Sequence, residues 1–200
     1  FTYDGSKMFS FPDIQLQKGD SLLVLGNSGV GKTTFIQILA GLLKPNSGEV
    51  ELFSTNYNKF SSKEMDQFRG KHIGMVFQKP HFVRNLNILD NLLLSLYLSD
   101  NHQDKSRITK LLEEIGLGSK LKSMPDELSQ GEQQRAAIAL AVIKQPSLIL
   151  ADEPTSSLDD TNCQNIITLL KEQAKKTNSQ LIIITHDNRI KSQFNQSITL

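Results

Sequence analysis

The nine residues GNSGVGKTT, Gly26 to Thr34, constrain this chain more than any other stretch. They join the apolar run SLLVL to the apolar run FIQILAGLL, so a strand must become a helix through a turn almost without side chains. Glycine admits left-handed backbone and lets a ligand approach closely. The exposed N–H groups of such a turn form a nest for phosphate oxygens, and the helix that follows points its positive end at the same place. Gly26, Gly31, Lys32 and Thr33 complete the pattern G-x-x-x-x-G-K-[ST]. In that pattern the lysine meets the β- and γ-phosphates of a nucleotide and the hydroxyl meets Mg²⁺.

The rest of the chain supplies a sheet for this turn. Strands are predicted at 20–26, 48–53, 72–78, 147–152 and 180–186, and helices at 32–43, 88–98, 105–115, 130–144 and 160–176. The runs at 21–25, 147–151 and 181–185 are continuously apolar, as strands buried on both faces of a parallel sheet are. Alternation of strands and helices predicts an α/β fold. SGEVELFSTN alternates instead, and predicts a small antiparallel sheet. Between 79 and 144 only helical patterns occur. The expected organisation is one domain over 1–200, with a core of 1–78 and 145–200 and a helical subdomain at about 79–144.

Composition closes several other routes. The formal net charge is +1, which gives no support for a nucleic-acid surface. Cys163 is the sole cysteine, so no internal disulfide forms. No apolar run reaches the ~18–20 residues of a membrane span. The opening FTYDGSKMFSF lacks the blocks of a signal peptide. It also lacks an initiating Met, the expectation being a trimmed chain. Work at a membrane requires a second chain to do the spanning.

A phosphate cradle needs an acid near the metal and a group that orients water. SLILADEP offers Asp152 at the end of a buried strand and Glu153 beside it. Gln78 and His186 close two further predicted strands. Parallel strands deliver their C-terminal ends to one edge, where ligands bind, so Gly26, Gln78, Asp152 and His186 converge on one crevice. His72, His81 and His102 have no such company and read as surface or packing residues.

The segment LSQGEQQR, Leu128 to Arg135, followed by a helix and LILADEPTSSLD, resembles the ABC-transporter ATPase family. The likeness runs along essentially the whole chain in the family's order. It implies a P-loop NTPase core with a mainly parallel sheet, a small antiparallel β subdomain and an inserted α-helical subdomain. It implies ATP bound by Gly26, Asn27, Ser28, Gly29, Val30, Gly31, Lys32, Thr33 and Thr34, with Tyr3 stacked on the adenine. Thr33, Gln78 and Asp152 are implied at Mg²⁺, with Glu153 as general base and Gln78 and His186 at the γ-phosphate. Asp159 would signal across a dimer interface, and Ser129 and Gly131 would cap the ATP of a second copy.

The chain departs from the family's usual Leu-Ser-Gly-Gly-Gln at Gln130 and Glu132. By resemblance its partners are an integral-membrane permease and, in the ATP-bound state, a second copy. The place of work is the cytoplasmic face of a bacterial inner membrane. FRGKHIGMVFQKPHFVRNLNILDNLLLSL is most similar to the lipoprotein-release, macrolide-export and cell-division branch. Phe82, Val83 and Leu86 are expected to form an apolar patch for the permease. The competing reading is a soluble ATPase of DNA repair or translation, which the single cassette and the lack of heptads or cysteine pairs disfavour.

Overall fold

Successive residues of a strand point to opposite faces, so a run apolar at every position needs a partner layer on each side. The computed structural model describes residues 1–2, 8–156 and 158–200. Its elements run β1 (Ser21–Leu25), α1 (Lys32–Leu39), β2 (Glu51–Leu52), β3 (Thr55–Asn56), α2 (Ser62–His72), β4 (Ile73–Val76), α3 (Ile88–Leu98), α4 (Lys105–Glu114), α5 (Gln130–Val142), β5 (Leu148–Asp152), α6 (Asp160–Thr177), β6 (Gln180–Thr185) and β7 (Gln196–Thr199).

Five strands form one sheet in the order β4-β5-β6-β1-β7, and each neighbouring pair is parallel. Leu23, Leu25, Ile149, Ala151, Leu181 and Ile183 face α5 and α6. Their alternates Leu22, Val24, Leu148, Leu150, Ile182 and Ile184 face α1, Met65 of α2 and the β2–β3 hairpin. The fold is thus α/β with a mainly parallel sheet and a small antiparallel one. In register, Leu25 lies opposite Thr185 and Asp152 opposite Ile184, so these strand ends share one edge.

A third apolar cluster joins α3, α4 and α5 through Leu92, Leu96, Ile108, Leu112, Ala136 and Ile143. Helix α5 serves two clusters, because Ile138, Ala141 and Val142 pack toward the sheet while Ala136, Ala139 and Ile143 pack toward α3 and α4.

Several elements differ from the sequence expectation. Helix α1 stops at Leu39 rather than 43, because Gly41 takes φ 64° and Leu42 N–H turns back to the carbonyl of Gln37. The strand expected over 48–53 narrows to Glu51–Leu52, since Phe53 and Ser54 take φ 50° and 62° and make the hairpin turn. β4 ends at Val76, so Gln78 follows the strand by two residues. Likewise β6 ends at Thr185, one residue before His186. Helix α2 and strand β7 carry no strong apolar pattern: Met65 alone is buried in α2, and β7 buries no residue fully.

Just beyond α5, Lys144 is half-buried and donates to the carbonyl of Arg69 at 3.2 Å. Burial, together with the Arg69 charge, pushes its ammonium down from 10.5 to about 8. A base whose pKa is lowered by folding binds its proton less well when folded. Its cost to stability is full below the folded value and fades as pH rises toward the unfolded value. Lys144→Met removes the ammonium and also the bond to Arg69. Each pKa unit corresponds to about 1.4 kcal/mol, discounted for the part of Lys144 still in water and for about 1 kcal/mol of lost hydrogen bond. The variant should therefore be about 1–2 kcal/mol more stable at pH 7, the gain shrinking by pH 10. Urea unfolding at the two pH values measures this.

Candidate active site

Strand β1 and helix α1 meet in the turn Gly26–Thr34. Gly31 sits at the N-cap of α1 with φ 105°, and a Cβ there would lie 2.5 Å from the Phe9 ring. No side chain of any size fits this position, and no side chain caps the helix. The start of α1 can therefore take a ligand's oxygens where a capping side chain would otherwise sit. Lys32 folds back over the turn: Nζ donates to the carbonyls of Gly26 at 2.7 Å and Asn27 at 3.2 Å, and lies 3.3 Å from Glu153 Oε1.

At the ends of β5 and β6 the carboxylates take their places. Thr33 Oγ1 donates to Asp152 Oδ2 at 3.4 Å, while Asp152 Oδ1 is buried without a hydrogen-bond partner. Burial and the neighbouring Glu153 charge push the Asp152 carboxyl above its ordinary value. Glu153 has φ 48°, unusual for a side chain of this size. Its Oε2 accepts from Thr185 Oγ1 at 2.8 Å, and its Oε1 from His186 N–H at 3.2 Å and His186 Nδ1 at 2.9 Å. Burial alone would raise the Glu153 pKa, but hydrogen bonds from His186 and Thr185 and the charges of His186 and Lys32 bring it below the ordinary range.

Phe9, Ser28, Gly29, Gly31, Lys32, Thr33, Thr34, Gln78, Glu153 and His186 line one cleft of about 370 Å³. Gln78 Nε2 donates to Ser156 Oγ at 3.2 Å. The structure therefore gathers the turn, Gln78, Glu153 and His186 into one place, with Asp152 held against Thr33.

Ser129 and Gly131 do not line this cleft. Ser129 is exposed and caps α5, with Glu132 completing a reciprocal capping box. Gln130 is exposed at the first position of that helix. Asp159 caps α6, accepting from Asn162 N–H at 2.8 Å. A Cβ on Gly131 would lie 3.9 Å from Asn162 Oδ1, so the two helix starts are neighbours.

Tyr3 lies outside the described residues. The apolar patch expected on the loop after Gln78 is smaller than foreseen: Phe82 packs against the α3–α4–α5 cluster and Leu86 is half-buried, which leaves Val83 exposed. His72 bonds to Ser147, His81 stands edge-on to Phe77 and His102 is exposed. Two further residues serve the site, Thr185, which holds Glu153 and which sequence reading passed over, and Phe9, which walls the cleft. A hydroxyl immediately before the strand-end histidine was the available signal for the first.

Oxygen ligands at Asp152 and Thr33 suit Mg²⁺, which takes one or two protein groups, waters and substrate phosphates rather than a protein cage.

This arrangement is that of a nucleotide-hydrolysing cassette, and the model of the ABC transporter family matches residues 11–156. The chain belongs to that family and is an ATPase subunit of the transporter class. Among curated relatives, the lipoprotein-releasing system ATP-binding protein LolD of Legionella pneumophila (strain Lens) is 37% identical, over 94% of this chain and 84% of the relative. LolD of Buchnera aphidicola subsp. Acyrthosiphon pisum (strain APS) is 42% identical, over 94% and 82%. The dimeric cassette MJ0796, solved in a post-hydrolysis state bound to ADP and Pi, shares the fold with a TM-score of 0.84 and 30% identity, over 94% of this chain and 83% of that one. CbiO1 of Clostridium perfringens, part of the transporter complex cbiONQ, gives a TM-score of 0.89 at 27% identity, over 100% and 80%. The two curated relatives are lipoprotein-releasing ATP-binding proteins, CbiO1 is part of a transporter complex, and the transporter reading stands over that of a DNA-repair or translation ATPase.

Proposed function

We propose that this chain binds ATP with Mg²⁺ in the cleft at the sheet edge, hydrolyses it within a homodimer, and drives a separate membrane permease in export or lipoprotein extraction. The observation that carries the reading is the buried Glu153, held by Thr185 and His186 and 3.3 Å from Lys32 at the start of α1, which no side chain caps.

The nest from Gly26 to Thr34 and the end of α1 receive the phosphates. Phe9 walls the cleft, and by resemblance Tyr3 stacks on the adenine. Lys32 leaves the carbonyls of Gly26 and Asn27 for the β- and γ-phosphates. Asp152 and Thr33 hold Mg²⁺, with Gln78 alongside. The metal supplies charge neutralisation on the phosphate oxygens.

Glu153 orients the attacking water and takes its proton. Its lowered pKa keeps it ionised and accepting. Once Lys32 turns to phosphate, one cause of the lowering is gone and the carboxylate becomes a stronger base. His186 gives Nδ1 to Glu153, which fixes the ring and leaves Nε2 for the γ-phosphate.

Ser129 and Gly131 cap the ATP of the second copy, with the start of α5 directed at its phosphates, and Asp159 lies at the joint. The dimeric neighbours support this arrangement. The chain divides into a core of 1–78 and 145–200 and a helical subdomain of about 79–144, the latter supported by the separate cluster of α3, α4 and α5. The loop Lys79–Leu86 faces the permease. No helix among the described residues is long and apolar enough to cross a membrane, so attachment to the inner membrane's cytoplasmic face is through that partner.

The test is phosphate release from ATP by the purified chain. Release should require Mg²⁺ and stop in EDTA while a fluorescent ATP analogue still binds. Release that continues undiminished in EDTA would overturn the metal assignment, and an absence of nucleotide binding would overturn the site.

A further inference from the structure

Beyond the proposed base lies a charged cluster that the chemistry above does not use. After β6 the chain runs through His186 and Asp187 to Arg189, against the first turn of α6. The Asp187 side chain is 9% exposed. Its carboxylate accepts from the Arg189 backbone N–H at 2.9 Å, from Nε at 2.9 and 3.0 Å, and from Nη2 at 2.7 Å. The same guanidinium meets Asp160 through Nη1. Asp160 opens α6 and follows Asp159, the cap of that helix. On the other side, Asp187 N–H donates to Thr185 Oγ1 at 3.0 Å, and that hydroxyl donates to Glu153 Oε2 at 2.8 Å.

One side chain therefore ties together two segments that are distant in sequence. We propose that Arg189 is a positioning residue, strapping the loop that carries His186 to the first turn of α6 and so holding the Glu153–His186 pair in register with the turn at Asp159. This rests on the reading of Glu153 as the base.

Exposed ion pairs contribute little to stability, and Asp160 is such a partner. Asp187 is different, because a buried carboxylate that loses its cation leaves an uncompensated charge. The other donors to it are long: Thr155 Oγ1 at 3.5 Å and Cys163 Sγ at 3.7 Å. Without Arg189 the loop must open to hydrate Asp187, and His186 is its neighbour in the chain. Displacements of even 1 Å at a reacting group are costly in rate. The planar fork of arginine matters as much as its charge, since lysine cannot reach two carboxylates in this geometry.

ATP turnover and nucleotide affinity are measured for Arg189→Ala, Arg189→Lys, Asp160→Asn and the Arg189→Ala/Asp160→Asn double variant. Arg189→Ala should lower kcat about tenfold, with KM for ATP within about twofold of the wild type, a loss confined to the transition state. Arg189→Lys should recover part of the loss. Asp160→Asn should lower kcat less, and should add nothing in the Arg189→Ala background, as expected of residues sharing one contact. A wild-type kcat in Arg189→Ala, a change in KM alone, or effects that simply multiply would overturn the proposal. Should Arg189→Ala not fold, Arg189→Lys and Asp160→Asn decide it by the same criterion, a fall in kcat at constant KM. Glu153→Gln is run alongside. Full turnover there overturns the reading beneath, whereas an inactive Glu153→Gln beside an unimpaired Arg189→Ala overturns the positioning role alone.

Discussion

Glu153→Gln should bind ATP at least as well as the wild type and hydrolyse it about a hundredfold or more slowly, in the range general-base losses span. The amide keeps the length of the side chain and can still accept from Thr185. What it loses is the negative charge proposed to orient and deprotonate water. That charge lies 3.3 Å from the Lys32 ammonium, so its removal also frees Lys32 for phosphate and favours binding. With Ser129 and Gly131 in the proposed role of capping the ATP of a second copy, the variant should accumulate as an ATP-bound dimer, while the wild type reopens on hydrolysis. Light scattering of both proteins with ATP and Mg²⁺ reads the mass directly, and phosphate release reads turnover. Hydrolysis at the wild-type rate would remove Glu153 from its role. An inactive variant that stays monomeric at saturating ATP would mean that closure needs the membrane chain, with exposed Gln130 at the start of α5 the first suspect.

Lys32→Ala should weaken ATP binding about ten- to a hundredfold. A hydrogen bond to a charged group contributes about 1.5–3 kcal/mol, and two such changes act together here. The ammonium that would meet the phosphates is gone, and Glu153 loses a cation, so its negative charge stands uncompensated beside the incoming γ-phosphate. Equilibrium titration with a fluorescent ATP analogue measures the loss. Unchanged affinity would overturn the placement of the phosphates in the Gly26–Thr34 turn.

Much of this was legible beforehand because the signals were local or doubly constrained. The phosphate turn is contiguous, and β1, β5 and β6 are apolar at every position because both sides of the sheet are covered. Helix α3 was legible to its ends: Asn87 caps its start, accepting from Asp90 N–H. Other parts depend on contacts between distant residues. β7 has polar residues at an outer position, and only its pairing with Leu22–Leu25 makes it a strand. Helix α2 buries Met65 alone, so its capping box of Ser61 and Glu64 was the sole local mark. In the site, Asp152, Glu153 and His186 were legible as strand ends. Which N-terminal aromatic walls the cleft was not, because the place of Phe9 depends on the missing Cβ of Gly31. Nor was the Arg189 strap, which joins residues 29 positions apart.

Helix α5 has a mechanical consequence. It spans Gln130–Val142, about 20 Å at 1.5 Å per residue. Ala141 and Val142 anchor its far end to the sheet, and Ser129 rides on the other. Such a rod is a lever. A tilt of about ten degrees about the anchored end sweeps the tip through about 3 Å, which is the length of a hydrogen bond. A push on α3 and α4 reaches the same rod through Ala136 and Ala139. Were force applied at the helical cluster, a stroke of that size would be enough to make or break one contact at the tip.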